Sequence, residues 1–373
     1  HQVPLADSLY ELLDGDFYFI ETIPMPLSTK HIGYPEYNSR PYLIQAWRNP
    51  NIKSQSYDIC EGADVILFST AYSSEYVHRF HDSNKIWFEV GERWLKKGFV
   101  NILSPRFIRW LYEYHRYYKR NKFYRLCSSA YAKHDVNLFG AYLGRCFKWG
   151  YFTKVDKVDR RLSFSKDNCD EVVRLMWCAR FIGWKHPELP IKLAQRLKNK
   201  GYRFIIDMFG GGEIIEDIKS LAHKLNLDDN VKFRGNFPND RILNEMRNHD
   251  IFLFTSDRNE GWGAVLNEAM ANDCTVIASD QIGSVPFLID HLSNGLIFKS
   301  CNLDDLEEKV IFLINNPDKR LEMSRNAYNT MIDNWSPESA AKQLLSLIDA
   351  LINGHEIKLG EKGEKGVFNA KDV

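Results

Sequence analysis

Short, continuously apolar runs alternate with longer stretches of helical periodicity along most of the chain. In the first half the runs are residues 17–22, 42–45, 65–69, 86–90 and 123–128; in the second they are 172–180, 204–209 and 251–256. Runs of this length without polar alternation predict strands buried on both faces, as in a parallel sheet covered by helices. The expected class is therefore α/β, built from strand–helix repeats. The chain opens on a predicted helix, with Val3, Leu5, Leu9, Leu12 and Leu13 forming one apolar stripe and no strand before it. Sheets of this class normally begin with a strand that becomes central, so the first strand and its loop are expected to be missing. A charged, aperiodic stretch near 153–170 predicts a boundary. It divides the chain into a domain over 1–160, a second over 161–335, a helix over 336–355 that crosses back, and a charged, glycine-rich disordered tail over 356–373.

The chemistry concentrates where the run 251–256 gives way to Asn259, Glu260, Gly261, Trp262, Gly263, Ala264 and, further on, Glu268. Glycines at the turn and a helix opening there leave backbone N–H groups pointing outward at a positive dipole end, which suits a phosphate or a sugar hydroxyl. Glu268 is expected two turns into that helix, where its carboxylate can accept both hydroxyls of a ribose. Alternatively, Glu260 is only a first-turn acid complementing the dipole. Arg180 and Lys185 flank the loop after the strand 172–180, so both cations can reach the same phosphate, unless they are ordinary surface charges. Gly210, Gly211 and Gly212 follow another strand without the G-x-G-x-x-G spacing of a dinucleotide site.

The ordered series Ala179, Arg180, Lys185, the three glycines, 231–235, then Glu260, Gly261, Trp262, Gly263, Glu268 and 269–271 resembles the carboxyl-terminal domain of retaining GT-B glycosyltransferases of family four, also called glycosyl transferases group 1. The resemblance covers roughly residues 172–345. It implies two Rossmann-like domains facing across a cleft, with Arg180 and Lys185 on the donor diphosphate, Glu268 on the nucleotide ribose and Glu260 facing the transferred sugar. Asn236 and Phe237 would hold the base; Gly211 and the backbone from Gly261 to Ala264 complete the implied donor site. Trp262 stands where the family often has phenylalanine, and Asn267 and Asp273 also depart from common choices. The activity implied is retaining transfer of a hexose from a nucleotide-diphosphate sugar to a hydroxyl of a glycan or lipid-linked acceptor, in cell-surface polysaccharide synthesis. A GT-B nucleotide-sugar epimerase and a catalytically silent binding module remain the alternatives.

In the first half, Glu92 and Arg93 follow a strand and precede Lys96, Lys97 and Gly98. This resembles a loop of a bacterial subgroup of the same family, with Gly91 in place of a serine, and makes Glu92 or Arg93 a candidate for the acceptor or the reacting sugar. A structural Glu–Arg pair explains them equally. Residues 104–125 hold Arg106, Arg109, Arg116, Lys119, Arg120, Lys122 and Arg125 against Glu113 alone, interleaved with Phe107, Trp110, Tyr112, Tyr114, Tyr117 and Tyr118. Such a helix can lie on an anionic membrane or simply present a solvated basic face; no RNA-binding motif accompanies it, so no nucleic-acid partner is expected.

The 373 residues suffice for two full cores, and 49 basic against 49 acidic residues leave no net charge. Seven scattered cysteines, never spaced C-x-x-C, read as small buried hydrophobes of a reducing compartment. No run approaches a membrane span and no signal peptide opens the chain, so the expected location is cytoplasmic, peripheral on the inner face of the plasma membrane. The D-x-D of Asp14 and Asp16 falls where an ordinary turn belongs. Neither a metal nor another cofactor is expected, the nucleotide-sugar being a substrate.

Overall fold

The computed structural model describes residues 2–24, 39–69, 74–119, 122–156 and 172–354, which form two compact units. The first runs to Thr153 and resumes at Asn334; the second extends from Lys154 to Asp333. The charged stretch from 157 onward, Arg120 and the glycine-rich tail lie outside the described residues.

In the first unit, β1 (Phe19–Glu21) and β2 (Leu43–Gln45) form a parallel pair. A separate parallel sheet holds β3 (Val65–Phe68), β4 (Ile86–Gly91), β5 (Phe123–Cys127) and β6 (Cys146–Lys148) in that order. β6, only three residues long, is too short to leave a period in the sequence. The core here is aromatic: Trp87 stacks on Phe123 at 5.2 Å, and Tyr118 stacks on Phe123 at 5.6 Å. The helix Pro337–Asn353 follows the second unit in sequence yet belongs to the first, where it packs on the opening helix Val3–Leu12. Ser336 caps it by accepting the Ser339 N–H, a contact that satisfies one of the unpaired donors of a helix start. Leu5, Ala6 and Leu9 are the buried residues of the opening helix, whereas Leu12 of the expected stripe is 39% exposed. Asp14 and Asp16 flank the turn that closes this helix, where the Gly15 N–H returns to the Tyr10 carbonyl.

In the second unit, β7 (Val173–Cys178), β8 (Phe204–Phe209), β9 (Val231–Gly235), β10 (Ile251–Phe254), β11 (Thr275–Ser279) and β12 (Leu296–Phe298) are all parallel. Their order is β12-β11-β10-β7-β8-β9. All four residues of β10 are buried, which accounts for its uninterrupted apolar run. β11 and β12 were not apparent from periodicity; β11 is framed by buried hydroxyl residues, Thr275 and Ser279, and β12 has three residues. The chain builds outward from β7 through β8 to β9, then returns to set β10 on the other side of β7. That reversal is a topological switch point, and loops at the carboxyl ends of its two strands diverge to leave a crevice. Both units thus have the α/β, Rossmann-like organisation expected of the GT-B class.

Candidate active site

The loops after β7 and β10 border the switch point, and a threonine ties them together. The Thr255 hydroxyl donates to the Lys185 carbonyl at 2.7 Å and accepts the Trp177 Nε1–H at 2.9 Å. The Asp257 N–H adds a bond to the Trp184 carbonyl at 3.0 Å. Lys185 ends a 3₁₀ turn, Gly183–Lys185, and its ammonium pairs with the Glu260 carboxylate over the faces of Trp184, 4.5 Å away, and Phe254, 5.7 Å away. Glu260 also accepts from Ser256 at 3.1 Å. The two charged side chains are only 11% and 12% exposed, so their fields are weakly screened by water. Glu260 is therefore more than an acid placed near a dipole, and Lys185 is no solvated surface cation.

The turn from Gly261 to Ala264 is longer than the sequence pattern implied, and the helix begins only at Val265. Glu268 consequently lies in its first turn, not two turns in. Gly263 has φ 86°, and a Cβ there would lie 2.4 Å from Phe254, so the turn admits only glycine. Glu268 is 9% exposed and accepts from Asn239 at 3.4 Å; burial pushes its carboxyl up to about 7. Cys178, at the end of β7, has its thiol pushed up to about 12 by burial, with Glu268 reinforcing the shift and Lys185 opposing it. Lys185 and Glu260 meet in the loops after β7 and β10, and Glu268 lies in the first turn of the helix that follows the second of these loops.

Arg180 is exposed and its guanidinium has no hydrogen bond or ion pair among the described residues. Its backbone is held tightly by the glycine loop. A Cβ on Gly210 would lie 2.0 Å from the Ala179 carbonyl oxygen, and one on Gly212 would lie 2.4 Å from that of Phe181. These glycines let the β7 and β8 loops cross in backbone contact, and Gly211 brings the Asn236 amide close, 2.9 Å from where its own Cβ would stand. Phe237 sits edge-on to Phe209 with Arg241 3.8 Å above its ring, leaving Asn236 exposed beside it.

One donor-site candidate needs correction. The Trp262 side chain is fully buried, with Nε1 donating to Asn267 at 2.9 Å, so only its backbone can line a ligand site. Asn267 is buried as well, and the two unusual residues form a matched pair. Thr255, Ser256, Cys178 and Asn239 were missed. A polar pair ending a buried strand was the available signal for Thr255 and Ser256; Asn239, on a different helix, left none.

In the first unit, Arg93 lies 3.2 Å from both carboxylate oxygens of buried Asp135 and stacks on Tyr131 at 5.0 Å. The Leu95 N–H also donates to Asp135, at 2.8 Å. Arg93 is therefore held by Asp135 and not by Glu92, and it lines the same pocket as Glu92. Glu92 instead pairs with Lys96, accepts from Tyr151 at 2.7 Å, and lines a pocket of about 480 Å³ with Trp94, Asn101, Ser104, Arg106 and Trp110. Its floor includes Arg125, paired with Glu89 directly across the strands. Gly91 is required there, because a Cβ would fall 2.6 Å from Arg125 Nη2. The expected burial of every cysteine also fails at Cys301, which is exposed 3.4 Å from His186 Nε2.

Residues 163–330 match the family described as glycosyl transferases group 1. This part of the chain is similar to glycosyltransferases of that group. The poly(ribitol-phosphate) α-N-acetylglucosaminyltransferase of Staphylococcus aureus is 25% identical over 174 residues, 46% of this chain and 34% of that protein. A glycosyltransferase from Rickettsia africae superposes with TM-score 0.67 at 17% identity, covering 94% of each chain. Anabaena Alr3699/HepE in complex with UDP superposes with TM-score 0.63 at 15% identity, covering 83% of this chain and 85% of its own. The similarity spans about half or less of the length of the curated relatives it matches. Among the described residues, no helix is long and apolar enough to cross a membrane.

Proposed function

We propose that the chain transfers a hexose from a nucleotide-diphosphate sugar to a hydroxyl of a glycan or lipid-linked acceptor, keeping the anomeric configuration, on the inner face of a membrane where surface polysaccharide is made. The observation that carries this reading is the partly enclosed pair of Lys185 and Glu260 at the switch point, with buried Glu268 in the helix that follows the Glu260 turn. Glu268 accepts the ribose hydroxyls, Asn236 and Phe237 border the base, and Arg180 and Lys185 meet the diphosphate. As the bond from C1 to the phosphate oxygen breaks, its electron pair leaves with the diphosphate, and the two cations stabilise that charge without a metal. The acceptor oxygen joins C1 on the same face, and its proton passes to the leaving phosphate. Glu260, released from Lys185 when the diphosphate arrives, faces the sugar.

The relatives support a nucleotide-sugar donor and a polymeric or anchored acceptor. Thermal melting with uridine, guanosine and adenosine diphosphate sugars tests the donor, since a bound nucleotide raises the melting point by mass action. One nucleotide is expected to stabilise the protein, and its sugar to be released faster with acceptor present, in EDTA as without it. No stabilisation by any nucleotide, or turnover lost to EDTA, contradicts the proposal; product formed without acceptor turns it toward an epimerase.

A further inference from the structure

The basic aromatic stretch 104–125 turns most of its rings inward. Phe107, Tyr114 and Tyr118 are buried in the core of the first unit, and Trp110 and Tyr117 pack against them. The outward apolar surface starts earlier. Phe99, Val100 and Leu103 on the 3₁₀ segment Gly98–Leu103 are 69%, 73% and 82% exposed, and Ile108 and Tyr112, one turn apart on the helix Pro105–Glu113, are 60% and 62% exposed. Among the described large apolar residues only Leu143 is exposed as far. Lys97, Arg106, Arg109, Arg116 and Lys119 are exposed on the same stretch. Its one carboxylate, Glu113, is buried and bonded to His78, Arg109 and Tyr118.

We infer that this face docks on a bilayer containing anionic lipids, with Phe99, Val100, Leu103, Ile108 and Tyr112 entering the acyl boundary and the surrounding cations meeting the headgroups. Charge complementarity selects the occupant, because a stretch from Lys97 to Lys119 with five exposed cations and no exposed carboxylate matches an anionic surface. Side chains exposed this far project into solvent, as insertion into lipid requires, and do not line a groove for a partner segment. The same two elements wall the Glu92 pocket through Asn101, Ser104 and Arg106. Docking therefore brings its mouth to headgroup level, where a lipid-linked acceptor presents its glycan; this last step rests on the transferase reading, whereas the docking does not.

The test is co-sedimentation of the full chain with vesicles of phosphatidylcholine alone or mixed with phosphatidylglycerol. Binding is expected on the mixed vesicles only, falling as salt rises. Leu103→Ser with Ile108→Ser should weaken it more than tenfold, and Lys97→Gln and Lys119→Gln roughly fivefold each, with the melting temperature unchanged. Equal or absent binding on the two vesicle types overturns the inference, as do variants that bind like the parent. If the chain self-associates and Leu103→Ser abolishes that association without affecting vesicle binding, the face belongs to a second copy instead. Loss of docking with nucleotide-induced stabilisation intact would separate this inference from the proposed activity.

Discussion

Each unit places a basic residue in the loop after a parallel strand: Arg93 after β4 and Lys185 after β7. The two differ in what answers the charge. Arg93 lies against Asp135, whose carboxylate also takes the Leu95 N–H, so charge, loop backbone and helix are locked into one unit. Lys185 answers Glu260, whose carboxylate also bonds Ser256, and neither side chain is shown holding a backbone group. In the proposed reading a diphosphate displaces one carboxylate from Lys185, whereas replacing Asp135 at Arg93 would also release the Leu95 N–H. Position at a strand end makes a cation a candidate, and the partner decides whether it is scaffold or site.

The largest effect that could break this contrast comes from Asp135→Ala, which leaves the Arg93 guanidinium buried and unpaired. It should cost about 4 kcal/mol of stability by urea denaturation; a cost below about 1 kcal/mol would show that the Asp135 pair does not anchor this loop. Lys185→Ala should instead keep most of the stability while lowering turnover by roughly 10²–10³-fold, measured at saturating donor. Equal losses of stability in the two variants would erase the distinction.

Glu268 sharpens the comparison through pH. Burial raises its carboxyl from 4.5 to about 7, so the folded protein holds that proton more tightly than the unfolded chain does. The raised group favours folding fully below the ordinary value and loses that favour as pH rises through about 7, a change of about 3 kcal/mol. Glu268→Gln should not show this loss, so the difference in stability between variant and parent grows from about pH 4.5 to 7 and then levels. Nucleotide affinity should follow the opposite course, rising with pH as the ionised carboxylate becomes available to ribose hydroxyls. A pH-independent difference between parent and variant would place Glu268 in a wetter site than its 9% exposure indicates.

The smallest expected effect belongs to Asn267→Ala. It removes the Asn267 acceptor from the buried Trp262 Nε1–H and should cost about 2 kcal/mol in stability with donor affinity nearly unchanged. A large loss of donor affinity would restore the Trp262 side chain to the ligand site.

The strands with long apolar runs were legible because burial on both faces leaves no choice but hydrophobic residues. β10 is the clearest case, and the series from Arg180 to Glu268 marked the loops around it. β6 and β12 were not legible, because three residues carry no period, and their existence depends on the edge of a sheet already formed. The helix start was misplaced because glycines mark a turn without fixing its length, and Val265 rather than Gly261 begins the helix. Aromatic content likewise gave no orientation: Phe107 and Tyr112 read alike in the sequence, yet one is core and the other faces solvent.

Local pattern was enough to specify parallel α/β units, the strand ends that carry charge, and the glycines a tight turn requires, since these follow from periodicity and backbone sterics. Which charge meets which could not be settled there. The contact of Lys185 with Glu260 spans 75 residues and that of Arg93 with Asp135 spans 42, distances closed only by the strand order and by the packing that follows it. Electrostatics depends on those distances and on the water excluded around them, and both exist only once the chain has folded.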